Sequence, residues 1–242
     1  MGPQRRDAQS AMTAPAVSAA PPTGADDAAA HPVVIVGAGP GIGMAVARRF
    51  GAAGHPAGLI ARDRGRLTEH VAELERLDIT ATAAVADARR PGDLRRALSE
   101  LRDALGPAQI LCFSPFPDVS LIKPVTDTTA EDVIAALQLN AVGAAAAVGE
   151  LLPTLRPGAT LLFTTGGAAV DRNPNRAVSA VAYGAEITYA RLLHDALAPD
   201  IHVAVTTIVG AVGPDKKHQP AVVADHLWRH QTNRSEFHQV IR

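Results

Sequence analysis

From Pro32 onward the chain alternates between two hydrophobic patterns. Short, nearly continuous apolar runs occur at 33–37, 56–61, 79–86, 109–114, 159–165 and 201–209. Runs of that length and composition are expected of strands buried on both faces. Helical stretches separate them. The first, over 42–53, starts on a glycine-rich turn, and Asp63 is placed to cap a second over 63–77. Pro91 suits the first turn of a third helix. Thr129 can cap a fourth starting near Ala130, where Glu131 and Asp132 favour the helix's positive end. Strands alternating with helices imply an α/β fold: a single Rossmann-like doubly wound parallel sheet flanked by helices, spanning 32–242. Ligands in such a sheet bind at the carboxyl ends of its strands.

The segment before this domain is different. Residues 1–31 are rich in Ala and Pro and nearly devoid of large apolar side chains, so they are expected to form a disordered tail. They lack the apolar stretch of a secretory signal, which points to a cytoplasmic protein.

Composition removes several functions. With 242 residues, 47% of them hydrophobic, the chain can bury one substantial core. A net charge of −1 offers no pull toward nucleic acid or an anionic membrane, and no apolar run is read as long enough to span a bilayer. The single cysteine, Cys112, lies in a strand pattern and reads as a small core residue. His226 and His230 stand at helical i, i+4 spacing, but no glutamate directly follows the first of them, so no metal is expected. Trp228 reads as a core or subunit-contact anchor.

The chemistry starts at the first glycine turn. Val33-Val34-Ile35-Val36 runs into Gly37-Ala38-Gly39-Pro40-Gly41-Ile42-Gly43, a strand feeding a helix whose first N–H groups lack intrahelical partners. Such a turn can hold a dinucleotide pyrophosphate. The G-x-G-x-x-G spacing fails, because its third position is Ile42; G-x-x-x-G-x-G fits through Gly37, Gly41 and Gly43. That variant resembles the cofactor loop of the short-chain dehydrogenase/reductase family, and the likeness runs from Val33 to about Pro214.

The resemblance assigns further residues. At the end of the second strand, where an NAD-preferring site wants a carboxylate, stands Ala61, followed by Arg62. A guanidinium there suits a 2′-phosphate, so NADP(H) is the expected cofactor. Asp87 matches the family's adenine contact, with Ala88 after it, and Asp87 can equally serve as a turn-forming residue. Ser114 in Phe113-Ser114-Pro115-Phe116 replaces part of the family's Asn-Asn-Ala-Gly, and Val212 after the sixth strand can offer backbone groups to the nicotinamide amide.

The catalytic half departs from the family. Asn140 fits the catalytic asparagine, and Thr165, with Thr164 beside it, supplies a hydroxyl where the family carries a serine. Tyr183-Gly184-Ala185-Glu186-Ile187 keeps the tyrosine of Tyr-x-x-x-Lys but has Ile187 for the lysine, whose charge would lower the phenol's pKa and whose donors would grip the ribose. The separation from Thr165 to Tyr183 exceeds the family's, and 171–176 reads as an inserted loop that absorbs it. Tyr189 is read as packing, and Lys123 is the one lysine that could approach the pocket. The expected function is an atypical NADPH-dependent ketoreductase acting on a bulky, possibly polycyclic ketone, with Tyr183 or a substrate hydroxyl supplying the proton. The alternatives are a non-redox cyclase or dehydratase on the same scaffold and a catalytically silent NADP-binding protein. Family members commonly dimerise through the helices here at 136–152 and around Tyr183, so a homodimer or homotetramer is expected.

Overall fold

The computed structural model describes residues 30–242; the tail reading falls on 1–31 and lies almost wholly outside them. Seven parallel strands form one sheet in the order β3-β2-β1-β4-β5-β6-β7. They are β1 (Val33–Val36), β2 (Ala57–Ala61), β3 (Ala81–Val85), β4 (Ile110–Phe113), β5 (Thr160–Gly166), β6 (His202–Ile208) and β7 (His238–Ile241). The helices are α1 (Ile42–Gly51), α2 (Arg64–Glu75), α3 (Pro91–Leu105), α4 (Ala130–Leu137), α5 (Gly143–Leu151), α6 (Ala177–Leu197) and α7 (Pro220–Asn233).

The two-residue period of the strands sorts the core into two layers. Val34, Val36, Leu111, Phe113, Leu161, Phe163, Val203 and Val205 face α3, α5 and α6. Val33, Ile35, Ile110, Cys112, Leu162 and Ala204 face α1, α2 and α7. Cys112 is fully buried, and burial pushes its thiol up to about 12, so it is a packing residue. Trp228 of α7 meets the Phe50 ring edge-on at 5.0 Å, with the Arg49 guanidinium 4.3 Å from its centroid. The strand order reverses between β1 and β4, the point at which sheets of this kind bind ligands outside the carboxyl ends of their strands.

Local signals act as their chemistry requires. The Asp63 side chain accepts from Arg66 N at 3.1 Å, capping α2, and Pro91 opens α3. Thr129 and Asp132 form a reciprocal capping box at the start of α4.

Two expectations need correction. The six strands read from the sequence become seven: His238–Ile241 adds β7 beside β6, with Val205 paired to His238 and Ile208 to Ile241. A four-residue edge strand with two polar residues carries too little periodicity to announce itself. The second concerns membrane length. Ala130–Thr154 is one 25-residue helical run apolar enough to cross a bilayer by length and composition. In the fold one face of its second half packs inward through Gly143, Ala144, Ala147, Val148 and Leu151.

Candidate active site

The glycine turn divides into two kinds of position. Gly37 has φ +97°, a left-handed conformation, and a Cβ there would overlap the Ser114 carbonyl. A Cβ on Gly43 would stand 2.5 Å from the Gly37 carbonyl oxygen. These two glycines let α1 approach the ends of β1 and β4. Gly39 and Gly41 are the reverse, since nothing lies within 4 Å of a Cβ on either. Gly41 is the N-cap of α1 and no side chain caps that helix. The positive end of α1, with Ile42 and Gly43 as its first residues, therefore opens onto space that no side chain at Gly39 or Gly41 fills. A pyrophosphate fits such a cradle in both shape and charge.

Beside it, Arg62 follows β2, exposed and in no ion pair among the described residues, while its neighbour Asp63 is committed to capping α2. Asp87, just past β3, is gripped by Arg89: Nη2 lies 2.7 Å from Oδ2, Nε 3.1 Å from Oδ1, and the Arg89 amide donates to Oδ1 at 3.0 Å. This hydrogen bonding holds the Asp87 carboxyl below its usual range, and the charge of Arg62 acts in the same direction. Asp87 thus serves as the turn-forming acid and as the partner of Arg89, which the sequence reading did not single out. Ala88 follows with its carbonyl against the first turn of α5, where a Cβ on Gly143 would come within 2.6 Å of it.

Asn140 sits in a π-helical segment, Gln138–Val142, that joins α4 to α5. Such segments widen the helix and recur at functional sites. Its Nδ2 donates to Glu186 Oε2 at 2.6 Å, both residues buried. Burial pushes the Glu186 carboxyl up to about 8, the Asn140 hydrogen bond opposing weakly, and Oε1 has no partner among the described residues. Tyr183, one turn before Glu186 on α6, packs its ring against Gly166, where a Cβ would lie 2.9 Å from Cε2. Its phenol is pushed up to about 12, first by burial and then by the carboxyl of Glu186. Ile187 packs into the core layer beneath α6.

The hydroxyls of β5 point elsewhere. Thr165 Oγ1 lies 2.7 Å from Thr207 Oγ1, which in turn lies 2.8 Å from His238 Nε2. Thr165 is therefore engaged across the sheet and makes no hydrogen bond to Tyr183. Thr164 Oγ1 donates to Ser114 Oγ at 2.7 Å, tying the ends of β5 and β4 together. Lys123 is bound to the capping-box carboxylate of Asp132 at 2.8 and 3.0 Å, which holds it at the start of α4. Val212 is partly buried and bridges to His218. His218 also sets a ring nitrogen 3.0 Å from the Val209 carbonyl, so the loop after β6 closes on itself.

Asn140 and Tyr183 line one open cleft. Its other polar groups are Arg89, Asp118 and Ser179, and Leu121, Ile122, Leu139 and Val178 make it mainly apolar. His226 binds Gln239 and His230 stacks near His202; the described residues hold no group of three metal-ligating side chains.

Comparison with known proteins places this arrangement. The family model for short chain dehydrogenase matches residues 31–216. No curated protein matches the chain. Among solved structures, a dehydrogenase/reductase from Sinorhizobium meliloti aligns with TM-score 0.80 at 20% identity, over 88% of this chain and 94% of that one. A short chain dehydrogenase from Burkholderia cenocepacia in complex with NADP gives 0.79 at 21% identity, over 87% and 96%. An NADPH-bound short chain oxidoreductase from Pseudomonas aeruginosa, described as containing an atypical catalytic center, gives 0.78 at 20% identity, over 87% and 95%.

Proposed function

The chain belongs to the short-chain dehydrogenase family, and from that premise we propose that it is an atypical NADPH-dependent ketoreductase for a bulky, apolar carbonyl compound. The observation that carries this reading is the continuity of three features along the strand ends. They are the open glycine cradle at α1, the exposed guanidinium of Arg62 after β2, in no ion pair among the described residues, and the apolar cleft whose polar groups include Asn140 and Tyr183. The cradle would hold the pyrophosphate, and Arg62 would pair with a 2′-phosphate. NADPH would supply a hydride. Tyr183 stays a phenol at every working pH and so remains a proton donor, though a weak one for want of a lysine. A substrate carrying its own acidic hydroxyl would relieve it of that task.

A specific observation favours a second reading, a silent NADP-binding protein. Ser179 stands one turn before Tyr183 and lines the same cleft, whereas Ile187 lies in the core. Read one turn earlier, the family's Tyr-x-x-x-Lys becomes Ser179-x-x-x-Tyr183, and the excess separation from β5 shrinks by a turn. Tyr183 would then occupy the lysine's place and no phenol would occupy the tyrosine's.

Titration with NADPH and NADH, followed by a ketone panel with the native chain and Tyr183→Phe, separates the readings. A catalytic phenol predicts a fall in turnover of roughly two to four orders of magnitude. Tight NADPH binding without turnover on any ketone would transfer the assignment to the silent binder.

A further inference from the structure

The strangest group in the molecule is Glu186. It is the one fully buried carboxyl among the described residues, on the inner face of α6, and its single hydrogen bond comes from Asn140 Nδ2 at 2.6 Å. Its other oxygen has no partner among the described residues. Among the described residues no Lys, Arg or His forms an ion pair with it. On α4 the carboxylate of Asp132 is already taken by Lys123. At the head of α6, Arg176 acts on Tyr183 instead. Arg89 and Asp118 are the charged groups of the cleft, and Arg89 is bound to Asp87.

A carboxylate in such a place is costly, because desolvation is repaid by one amide hydrogen bond only. The neutral acid is the form the surroundings accept, and burial accordingly moves its titration to about 8. Nothing in the packing of a helix onto a sheet requires an acid here; an apolar residue would fill the space at lower cost. What the acid adds is a fixed partner for Asn140, which lines the cleft from the π segment.

We propose that Glu186 is the positioning residue of this site: as the uncharged acid it clamps Asn140 in the cleft wall beside Tyr183, and on losing its proton it disables the cleft. The neutral acid adds no charge beside the phenol of Tyr183. The carboxylate would place a buried, uncompensated negative charge between Asn140 and Tyr183, oppose any negative charge developing on either, and draw water into the layer beneath α6. The site therefore works on the acid side of the Glu186 titration and fails on the alkaline side. In using Asn140 and Tyr183 this inference rests on the proposed reductase reading, but its first test does not.

That test is a carboxyl ¹³C NMR titration of the full chain, with the Glu186 resonance identified by its loss in Glu186→Gln and the Asn140 side-chain ¹⁵N resonance followed in parallel. The expected result is one titration near pH 8 seen by both nuclei, with the Asn140 resonance losing its pH dependence in Glu186→Gln. A Glu186 midpoint near 4.5, or an Asn140 resonance indifferent to it, overturns the proposal even if the enzyme reduces ketones. With a ketone in hand, turnover of the native chain should fall about tenfold per pH unit above the midpoint while Glu186→Gln stays flat. Equal pH profiles overturn the proposal too. Should Glu186→Gln fail to fold, Asn140→Ala identifies the same carboxyl resonance by moving its midpoint upward, since the hydrogen bond that favours the anion is gone.

Discussion

Replacing Gly39 with alanine separates the cradle's two duties. A Cβ at Gly39 meets no atom within 4 Å, and the residue's φ is not in the left-handed region. The folded chain therefore accepts the methyl without strain. Removing a glycine also lowers the entropy of the unfolded chain, so stability should rise or hold, by up to about 1 kcal/mol. Yet that methyl would occupy the space that a pyrophosphate needs at the uncapped start of α1. Close approach of phosphate oxygens to the loop amides would be lost, and NADPH affinity should fall at least about tenfold, or 1.4 kcal/mol.

Gly43→Ala is the necessary control, because its Cβ would lie 2.5 Å from the Gly37 carbonyl oxygen and 2.8 Å from Ala38 Cα, both backbone atoms that cannot step aside. Overpacking of that kind costs about 1–3 kcal/mol. In a domain of this size that lowers Tm by roughly 2–12 °C. Thermal unfolding by circular dichroism and titration of NADPH fluorescence read the two effects separately. A Gly39→Ala protein that melts at the native temperature and still binds NADPH with native affinity would refute the assignment of the cradle to the cofactor.

Other expectations follow from single residues. Arg62→Ala should erase a preference for NADPH over NADH of at least about tenfold while leaving NADH affinity nearly unchanged, as read by titration with both; equal affinities in the native chain would defeat the assignment. Glu186 is raised from 4.5 to about 8 in the fold, so its contribution to stability is full below pH 4.5 and lost as pH rises through about 8. Denaturant melts should show that decline, at up to about 1.4 kcal/mol per pH unit, and Glu186→Gln should flatten it. His202 is lowered from 6.5 to about 4, first by burial and then by His230, so its contribution is full above pH 6.5 and lost as pH falls through about 4; His202→Gln should flatten that acid limb in the same melts. Ile134, Val142, Val181 and Leu192 are exposed on α4, the π segment and α6. A dimer closed by these helices should become monomeric in Val181→Arg by light scattering, and an unchanged mass would place any interface elsewhere.

The fold was legible because its signals are local. Strands buried on both faces carry continuous apolar runs, and Asp63, Pro91 and Thr129 mark helix starts through bonds to residues three or four away. The glycine loop was legible for the same reason: its steric demands fall within seven residues of chain, apart from the approach of Ser114. β7 escaped because an edge strand of four residues is specified by β6, to which it pairs across about thirty residues of chain.

The candidate catalytic side was less legible because its side-chain partners are decided by register and by residues distant in the chain. Thr165 and Thr164 alternate across a strand, so a one-residue step decides which hydroxyl meets Ser114 and which meets Thr207. Tyr183 and Ser179 differ by one helical turn, which leaves both on the cleft face, and a motif with two of its three residues replaced does not fix the turn. Glu186 was passed over as a spacer within the Tyr-x-x-x-Lys window, yet it is the partner of Asn140, 46 residues earlier. One signal was available. An acid in an otherwise apolar stretch of α6, three residues after Tyr183, falls on the same face as that tyrosine, so whatever buries the phenol buries the carboxyl as well. A buried acid without a cation must find a hydrogen-bond donor. The one asparagine in the apolar helical run that packs against α6 is Asn140.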